Sequence, residues 1–330
     1  MSFTVVDGWE RPPARVRHRD VAAVDVDGAD RVYLFTRYDG QVLVFEPDGT
    51  FVRAWGAGLF TTPHGLTVGP DGRVWCVDAG DHSVRAFTPE GDPLLTLGVP
   101  GEPSDTGYDG GAPVRVHSVE RVRHPGPPFN RCTNLAVGPG GDLYVADGYG
   151  NCRVHRFAPD GRLLRSWGEV GTGPGQFHLP HGIAVTPEGL VLVADRENDR
   201  IQVFDGDGGH LDSWTGVRRP CDLAVAAGGT VYVAELWRPA GTRSFVEGPA
   251  EQDRPGRVSV LDGGGAVLDR WTDAGFIAPH GIAVDSRGAV YVAEVTYSFG
   301  IRPGLVPADR AGQQLRKFVP TEAAAEGVQA

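Results

Sequence analysis

Short apolar runs separated by Gly, Asp and Pro clusters recur along the whole chain, and they recur in a fixed order. In one copy, Leu135-Ala136-Val137 meets a glycine turn, and Leu143-Tyr144-Val145-Ala146 ends in Asp147. The alternating run Arg153 to Phe157 then reaches a Pro-Asp-Gly turn, and a last run closes on Trp167-Gly168. Period-two runs of this length between tight-turn residues predict strands in hairpins, and no stretch of useful length has a helical period. Comparable units begin at Val21, Pro63, Cys132, Pro180, Pro220 and Pro279. Six units of four strands predict an all-β, six-bladed β-propeller. The blades fall near residues 20–56, 63–98, 132–168, 180–215, 220–272 and 279–319, in one domain over 1–330. The sixth unit has no fourth run after Leu315-Arg316-Lys317-Phe318, where an Ala/Glu-rich tail begins. Residues 3–9, an apolar run ending in Trp9, supply the missing strand and close the ring, which removes the exposed edges of an open array.

Three segments interrupt the repeat: Val99–Arg131 after a fourth strand, and Arg238–Gly256 and Tyr297–Gln313 after second strands. Propeller connectivity brings all three to one face. Loops of this length are either pocket walls and lids or plain surface insertions, and the pattern alone leaves both open.

Composition narrows the partners. A net charge of −11 argues against a nucleic-acid backbone as ligand. Lys317 is the sole lysine, which sets aside Schiff-base chemistry. No run reaches the length of a membrane-spanning helix, so no membrane partner is expected. The opening MSFTVVDGWERPPARVRHRD carries no apolar signal-peptide core, and the expectation is a cytoplasmic protein. Four cysteines do not make a disulfide scaffold; Cys132 and Cys152 start adjacent strands and could pair or stay reduced, while Cys76 and Cys221 read as core or pocket-lining residues.

One constellation stands out. The first strand of a blade is innermost, and its start lies beside the axis. Blades two, four and six carry Pro-His-Gly there, at His64, His181 and His280, where the other three blades have Ala22, Thr133 and Cys221. Three histidines on alternate blades stand roughly 120° apart around a propeller axis. Punctuation of the repeat could place a histidine once, but alternation is better explained by a metal, with three imidazoles leaving an open coordination position as in catalytic zinc sites. On the same face, just after second strands, Arg37 and Arg196 hold equivalent positions, and Tyr149 lies one residue further along. Arginines there suit a substrate carboxylate, although an ion pair with Asp195 or Glu197 explains Arg196 as well.

With these residues in view, the chain resembles the peptidyl-α-hydroxyglycine α-amidating lyases, six-bladed propellers of NHL repeats. The resemblance runs from about Val21 to Phe318 and is densest in ADGYGNCRV, GPGQFHLPHGIAV and VADRENDRIQVF. It implies zinc on His64, His181 and His280, a catalytic arginine at Arg37, a catalytic tyrosine at Tyr149 and a second active-site arginine at Arg196. It also implies a calcium ion on the axis, held in part by the carbonyls of Val24 and Leu66. Two departures matter: the family has Met-Pro-His-Asp where this chain has Ala278-Pro279-His280-Gly281, so calcium's carboxylate and a methionine near the substrate are both missing. The family's cysteine also falls later here, at Cys152.

The resulting expectation is a zinc-dependent lyase that breaks the N–C bond of an α-hydroxyglycine-like carbinolamide, leaving an amide and glyoxylate or another aldehyde. Its substrate, a small molecule or a peptide, would carry a carboxylate. The alternatives are a metal-dependent lactonase-like hydrolase and a non-catalytic propeller used as a binding platform.

Overall fold

The structure, a computed structural model, describes residues 2–108, 121–310 and 314–321. The middle of the first insertion, the end of the third and the C-terminal tail lie outside them. Six antiparallel sheets of four strands are present, and each takes its strands in chain order except the last. We letter the strands A to D from the axis outward. The A strands are Val21–Val26, Pro63–Val68, Asn134–Val137, Pro180–Val185, Pro220–Val225 and Pro279–Val284. In the sixth sheet Leu315–Pro320 is strand C, and Phe3–Val6 pairs with it as strand D, Phe3 opposite Pro320 and Val6 opposite Lys317. The ring therefore closes through the N-terminal strand, as expected.

Two sequence habits explain how the blades hold together. The first is the acid at the end of strand B. Asp78 accepts the backbone N–H groups of Thr61 and Thr62, Asp147 that of Asn130, Asp195 that of His178 and Glu235 that of Arg218. Each carboxylate thereby satisfies the backbone that leads into strand A of its own blade, a charge-assisted bond made where water is excluded. The second is the pairing of a C–D turn glycine with the tryptophan ending strand D of the preceding blade. A Cβ on Gly91, Gly208 or Gly265 would lie 2.7, 2.5 or 2.2 Å from Trp55, Trp167 or Trp214. These glycines also have φ of +99°, +83° and +85°, so the turn and the close approach both require them. Trp9 plays the same part at the closure, packing on Gly49 of blade one and donating its Nε1–H to the Pro47 carbonyl at 3.1 Å.

Apolar side chains fill the spaces between sheets, with all five residues of strands such as Val32–Thr36 and Val191–Asp195 buried. A small parallel ladder, Glu169–Val170 beside Gln176–Phe177, was not anticipated from the repeat. Among the described residues no helix is long and apolar enough to cross a membrane.

Candidate metal centre

Strand A begins with a register shift in five of the six blades, including the three that carry Pro-His-Gly. Such bulges re-aim side chains, here toward the axis. His64, His181 and His280 converge: each pair of ring centroids is 4.8 Å apart, and one ligand nitrogen from each ring lies within 4.8 Å of the others. The other nitrogen of every ring is spoken for. His64 Nδ1–H donates to the Thr133 carbonyl at 2.6 Å, His181 Nδ1–H to Cys221 at 2.7 Å and His280 Nδ1–H to Ala22 at 2.7 Å. A carbonyl can only accept, so the proton sits on Nδ1 and the Nε2 lone pairs face inward. Burial holds all three imidazoles well below the ordinary histidine range, and the nearby arginines push in the same direction. Neutral rings with fixed tautomers, backed by backbone carbonyls, are what a three-histidine metal site needs.

The three sequence-predicted partners surround these nitrogens. The Tyr149 hydroxyl lies 3.1 Å from both His64 Nε2 and His181 Nε2. Arg196 reaches the same hydroxyl through Nη1 at 3.5 Å, with its guanidinium carbon 5.6 Å from the Tyr149 ring centroid. Arg37 Nη2 comes within 3.4 Å of His280 Nε2, and its Nη1 donates to Ser298 Oγ at 2.7 Å. Because a guanidinium cannot accept, that contact independently places the His280 lone pair on Nε2. Arg196 also pairs with Glu197 at 2.8 Å, so the ion-pair reading of this arginine and its place at the site both hold geometrically.

The insertions supply what the repeat could not reveal. Thr106 Oγ1 donates to the carbonyl of Gly150, the residue after Tyr149, at 2.5 Å. Phe245 stacks on His178 with centroids 3.6 Å apart and rings 5° from parallel, and it packs against a cluster of Ala79, Tyr149 and Leu179. Ser298 is the second residue of a short π-helical turn, Tyr297–Ile301, whose first two N–H groups are each accepted by the Asp20 carboxylate at 2.8 Å. Each insertion is thus tied by a hydrogen bond beside one of the site residues. Ser298 and Phe245 went unnamed in the sequence, and Glu197 was named only as an ion-pair partner of Arg196; the only signal for the first two was that the insertions follow strands B and D, whose ends share this face.

Val24 and Leu66 line an axial cavity of about 200 Å³, as do Asp25, Asn134 and Asp222. The donors of the family's calcium site are not assembled there. Gly281 offers no carboxylate, and a Cβ at that position would already lie 3.0 Å from the Ala23 Cα. Asp222 holds the corresponding place in blade five, but both oxygens are engaged: Oδ1 accepts Asn134 Nδ2–H at 2.8 Å and Oδ2 accepts the Ile282 N–H at 3.2 Å. A side-chain clasp thus joins blades three, five and six in this cavity. Cys132 and Cys152 are separate buried thiols, as are Cys76 and Cys221.

Comparison with known proteins bears on this geometry. A model of the NHL repeat matches residues 60–87, 129–157 and 177–204. Human NHL repeat-containing protein 3 is 31% identical, over 95% of this chain and 83% of its own. Peptidyl-alpha-hydroxyglycine alpha-amidating lyase 1 of Drosophila melanogaster is 34% identical, over 64% of this chain and 42% of its own. Peptidyl-glycine alpha-amidating monooxygenase A of Xenopus laevis is 31% identical over 84% of this chain, which spans only 29% of that longer protein. Among solved structures, a gluconolactonase from Xanthomonas campestris superposes with a TM-score of 0.58 at 15% identity, covering 92% of this chain and 86% of that one. At that identity the likeness is one of fold.

Proposed function

The chain belongs to the NHL-repeat propeller family of the peptidyl-α-hydroxyglycine α-amidating lyases, and from that premise we propose that it is a zinc-dependent lyase acting on an α-hydroxyglycine-like carbinolamide. The observation that carries this reading is the Tyr149 hydroxyl held between two inward-facing imidazole nitrogens, with Arg196 beside it and Arg37 at the third. His64, His181 and His280 would hold the metal. When bound, zinc would supply Lewis acidity to a substrate hydroxyl oxygen.

The rest of the chemistry falls to the protein. Arg37 and Arg196 would bind the substrate carboxylate and face the charge that develops on the hydroxyl oxygen. Tyr149, in a phenolate form that Arg196 beside its oxygen would favour, would take the hydroxyl proton. The C–O bond then becomes a carbonyl as the C–N bond breaks, and its electron pair leaves on the amide nitrogen. Return of the same proton to that nitrogen gives the amide and glyoxylate, so atoms and electrons balance without water or a redox partner. Ser298 holds Arg37 through Nη1, Nε lies on the Pro63 carbonyl at 3.4 Å and Nη2 faces His280, so the second N–H groups of Nη1 and Nη2 are those left for an anion. The lactonase-like likeness is one of fold, which alone does not carry function, and the ligand cluster that assembles at the site is made of imidazoles. Four unpaired cysteines fit a reducing compartment, which supports a cytoplasmic location. A small carboxylate-bearing substrate is favoured over a peptide hormone precursor because Ala278 replaces the family's substrate-side methionine.

The test is elemental analysis of purified protein beside His181→Ala, followed by glyoxylate release from α-hydroxyhippurate. About one zinc per chain, lost in the variant, is expected together with glyoxylate formation. Zinc without glyoxylate from any carbinolamide would overturn the reaction, and no zinc in either sample would overturn the metal.

A further inference from the structure

We propose that Glu197 is a positioning residue for the reaction: it aims Arg196 at the Tyr149 hydroxyl, and Arg219 locks it in place. The proposal rests on the lyase reading for its kinetic consequences and on geometry for its substance. Arg196 Nε donates to Glu197 Oε1 at 2.8 Å, leaving Nη1 to reach the Tyr149 oxygen. Arg219 Nη2 donates to the same Oε1 at 3.1 Å from the other side. One oxygen thus serves as a pivot between two guanidinium groups.

The second oxygen makes the case that this is more than a stabilising ion pair. Glu197 Oε2 is buried and has no hydrogen-bond partner among the described residues. Leaving a buried carboxylate oxygen unpaired costs free energy, and a pair selected for stability alone would place both oxygens on donors. The carboxylate is held edge-on instead, in the orientation that fixes Arg196.

Everything around Glu197 enforces that orientation. Its N–H donates to the His178 carbonyl at 3.0 Å, and its own carbonyl accepts the Phe245 N–H at 3.0 Å. Arg219, fully buried, donates Nη1 to the Trp237 carbonyl and its backbone N–H to Asp199 Oδ1, both at 2.7 Å. Asp199 is gripped through both oxygens by Arg238, at 2.5 and 2.6 Å, and Arg238 extends to Glu247 at 3.1 Å. Charges of alternating sign therefore run from Tyr149 to the surface, through blades four and five and along the second insertion. That insertion works as a brace for the site.

The experiment compares Glu197→Ala, Glu197→Gln and, as a control, Arg254→Ala, whose side chain meets only the exposed end of the network at Glu247. Two readouts are taken: kcat and KM for α-hydroxyhippurate, and the NMR signal of the Arg196 Nε–H, identified by its loss in Arg196→Lys. Glutamine keeps an acceptor at Oε1 and alanine does not. Positioning predicts that alanine lowers kcat by about 10²-fold with little change in KM, broadens the Nε–H signal and brings it into fast exchange with solvent. Glutamine should restore the signal and most of kcat. Equal losses in both variants with the signal intact would mean that only the charge matters, and would overturn the proposal. Unchanged kcat and signal in alanine would do so too. Should the alanine variant not fold, Arg219→Met beside Glu197→Gln asks the same question. If the wild-type protein releases no glyoxylate, the lyase reading fails and the Nε–H signal alone decides the positioning.

Discussion

The even and odd blades share one strand design and do opposite jobs at the axis. At the second position of strand A the even blades carry His64, His181 and His280, and each donates to the carbonyl of the residue at the matching place in the repeat of an odd blade, Thr133, Cys221 or Ala22. At this position the odd blades contribute backbone and the even blades contribute side chains, while Arg37 and Tyr149 reach the site from odd blades after strand B. The third position shows the cost. A Cβ on Gly65 would lie 2.7 Å from the Thr133 carbonyl oxygen, and one on Gly182 only 2.6 Å from both the Cys221 oxygen and the Asp222 Cα. The odd blades have Ala23, Asn134 and Asp222 there. Glycine after each histidine lets the neighbouring backbone come close enough to take the Nδ1–H. Pro-His-Gly is therefore one functional unit, in which the histidine supplies the lone pair and the glycine supplies the approach.

The comparison is broken most severely by adding one methyl group. Gly182→Ala should push strand A of blade five away from His181, free its Nδ1–H and let the ring turn. The expected outcome is loss of bound metal together with about 3 kcal/mol of stability, the upper range for overpacking. Elemental analysis and urea unfolding of the same sample check it. Retention of metal would show that the carbonyl contact does not set the ring.

This alternation was legible in the sequence because repeats align: once six units are superposed, a histidine at every second copy is visible without any structure. Arg37, Tyr149 and Arg196 were legible for the same reason, since they sit at fixed offsets from strand B. The unreadable part obeys no repeat. Ser298 and Phe245 come from insertions, where spacing carries no register, and the Glu197–Arg219 contact joins residues 22 apart in sequence across two blades. The missing calcium carboxylate at Gly281 was already legible in the sequence, whereas the buried Asp222 at the matching place of blade five, held by Asn134, was not. Its burial raises the Asp222 carboxyl to about 7, which shows how little cationic help it receives from the protein itself.

The next test uses pH on metal-free protein. Burial keeps the three histidines neutral in the fold well below the ordinary value of 6.5, while the unfolded chain protonates them there. Below that pH the unfolded state holds more protons, so stability falls as pH drops toward the folded values. Each such proton is worth about 1.4 kcal/mol per pH unit. Asp222 and Asp25, raised to about 7 and about 6 by burial, act with the opposite sign, because the fold binds their protons more tightly. The diagnostic is therefore a difference: His280→Asn should flatten the acid slope of the urea midpoint by about one proton, relative to wild type. An unchanged slope would mean that the site opens to water before it titrates.

The smallest expected effect is the sharpest for the odd blades. Cys221 lies fully buried at the histidine position of blade five, and its backbone carbonyl receives the His181 proton. If blade five contributes only backbone, the thiol is a small apolar filler. Burial raises it to about 11, so it stays protonated and a poor metal ligand at neutral pH. Cys221→Ala should then cost about 1 kcal/mol through the lost sulfur contacts and leave metal content and turnover unchanged. A thiolate ligand would behave otherwise, because a metal deprotonates the thiol it binds and the alanine variant would lose affinity. Replacing zinc by cobalt gives the same answer optically: a sulfur-to-metal charge-transfer band would put blade five's side chain in the site, and its absence in both proteins would leave that blade the role of a carbonyl.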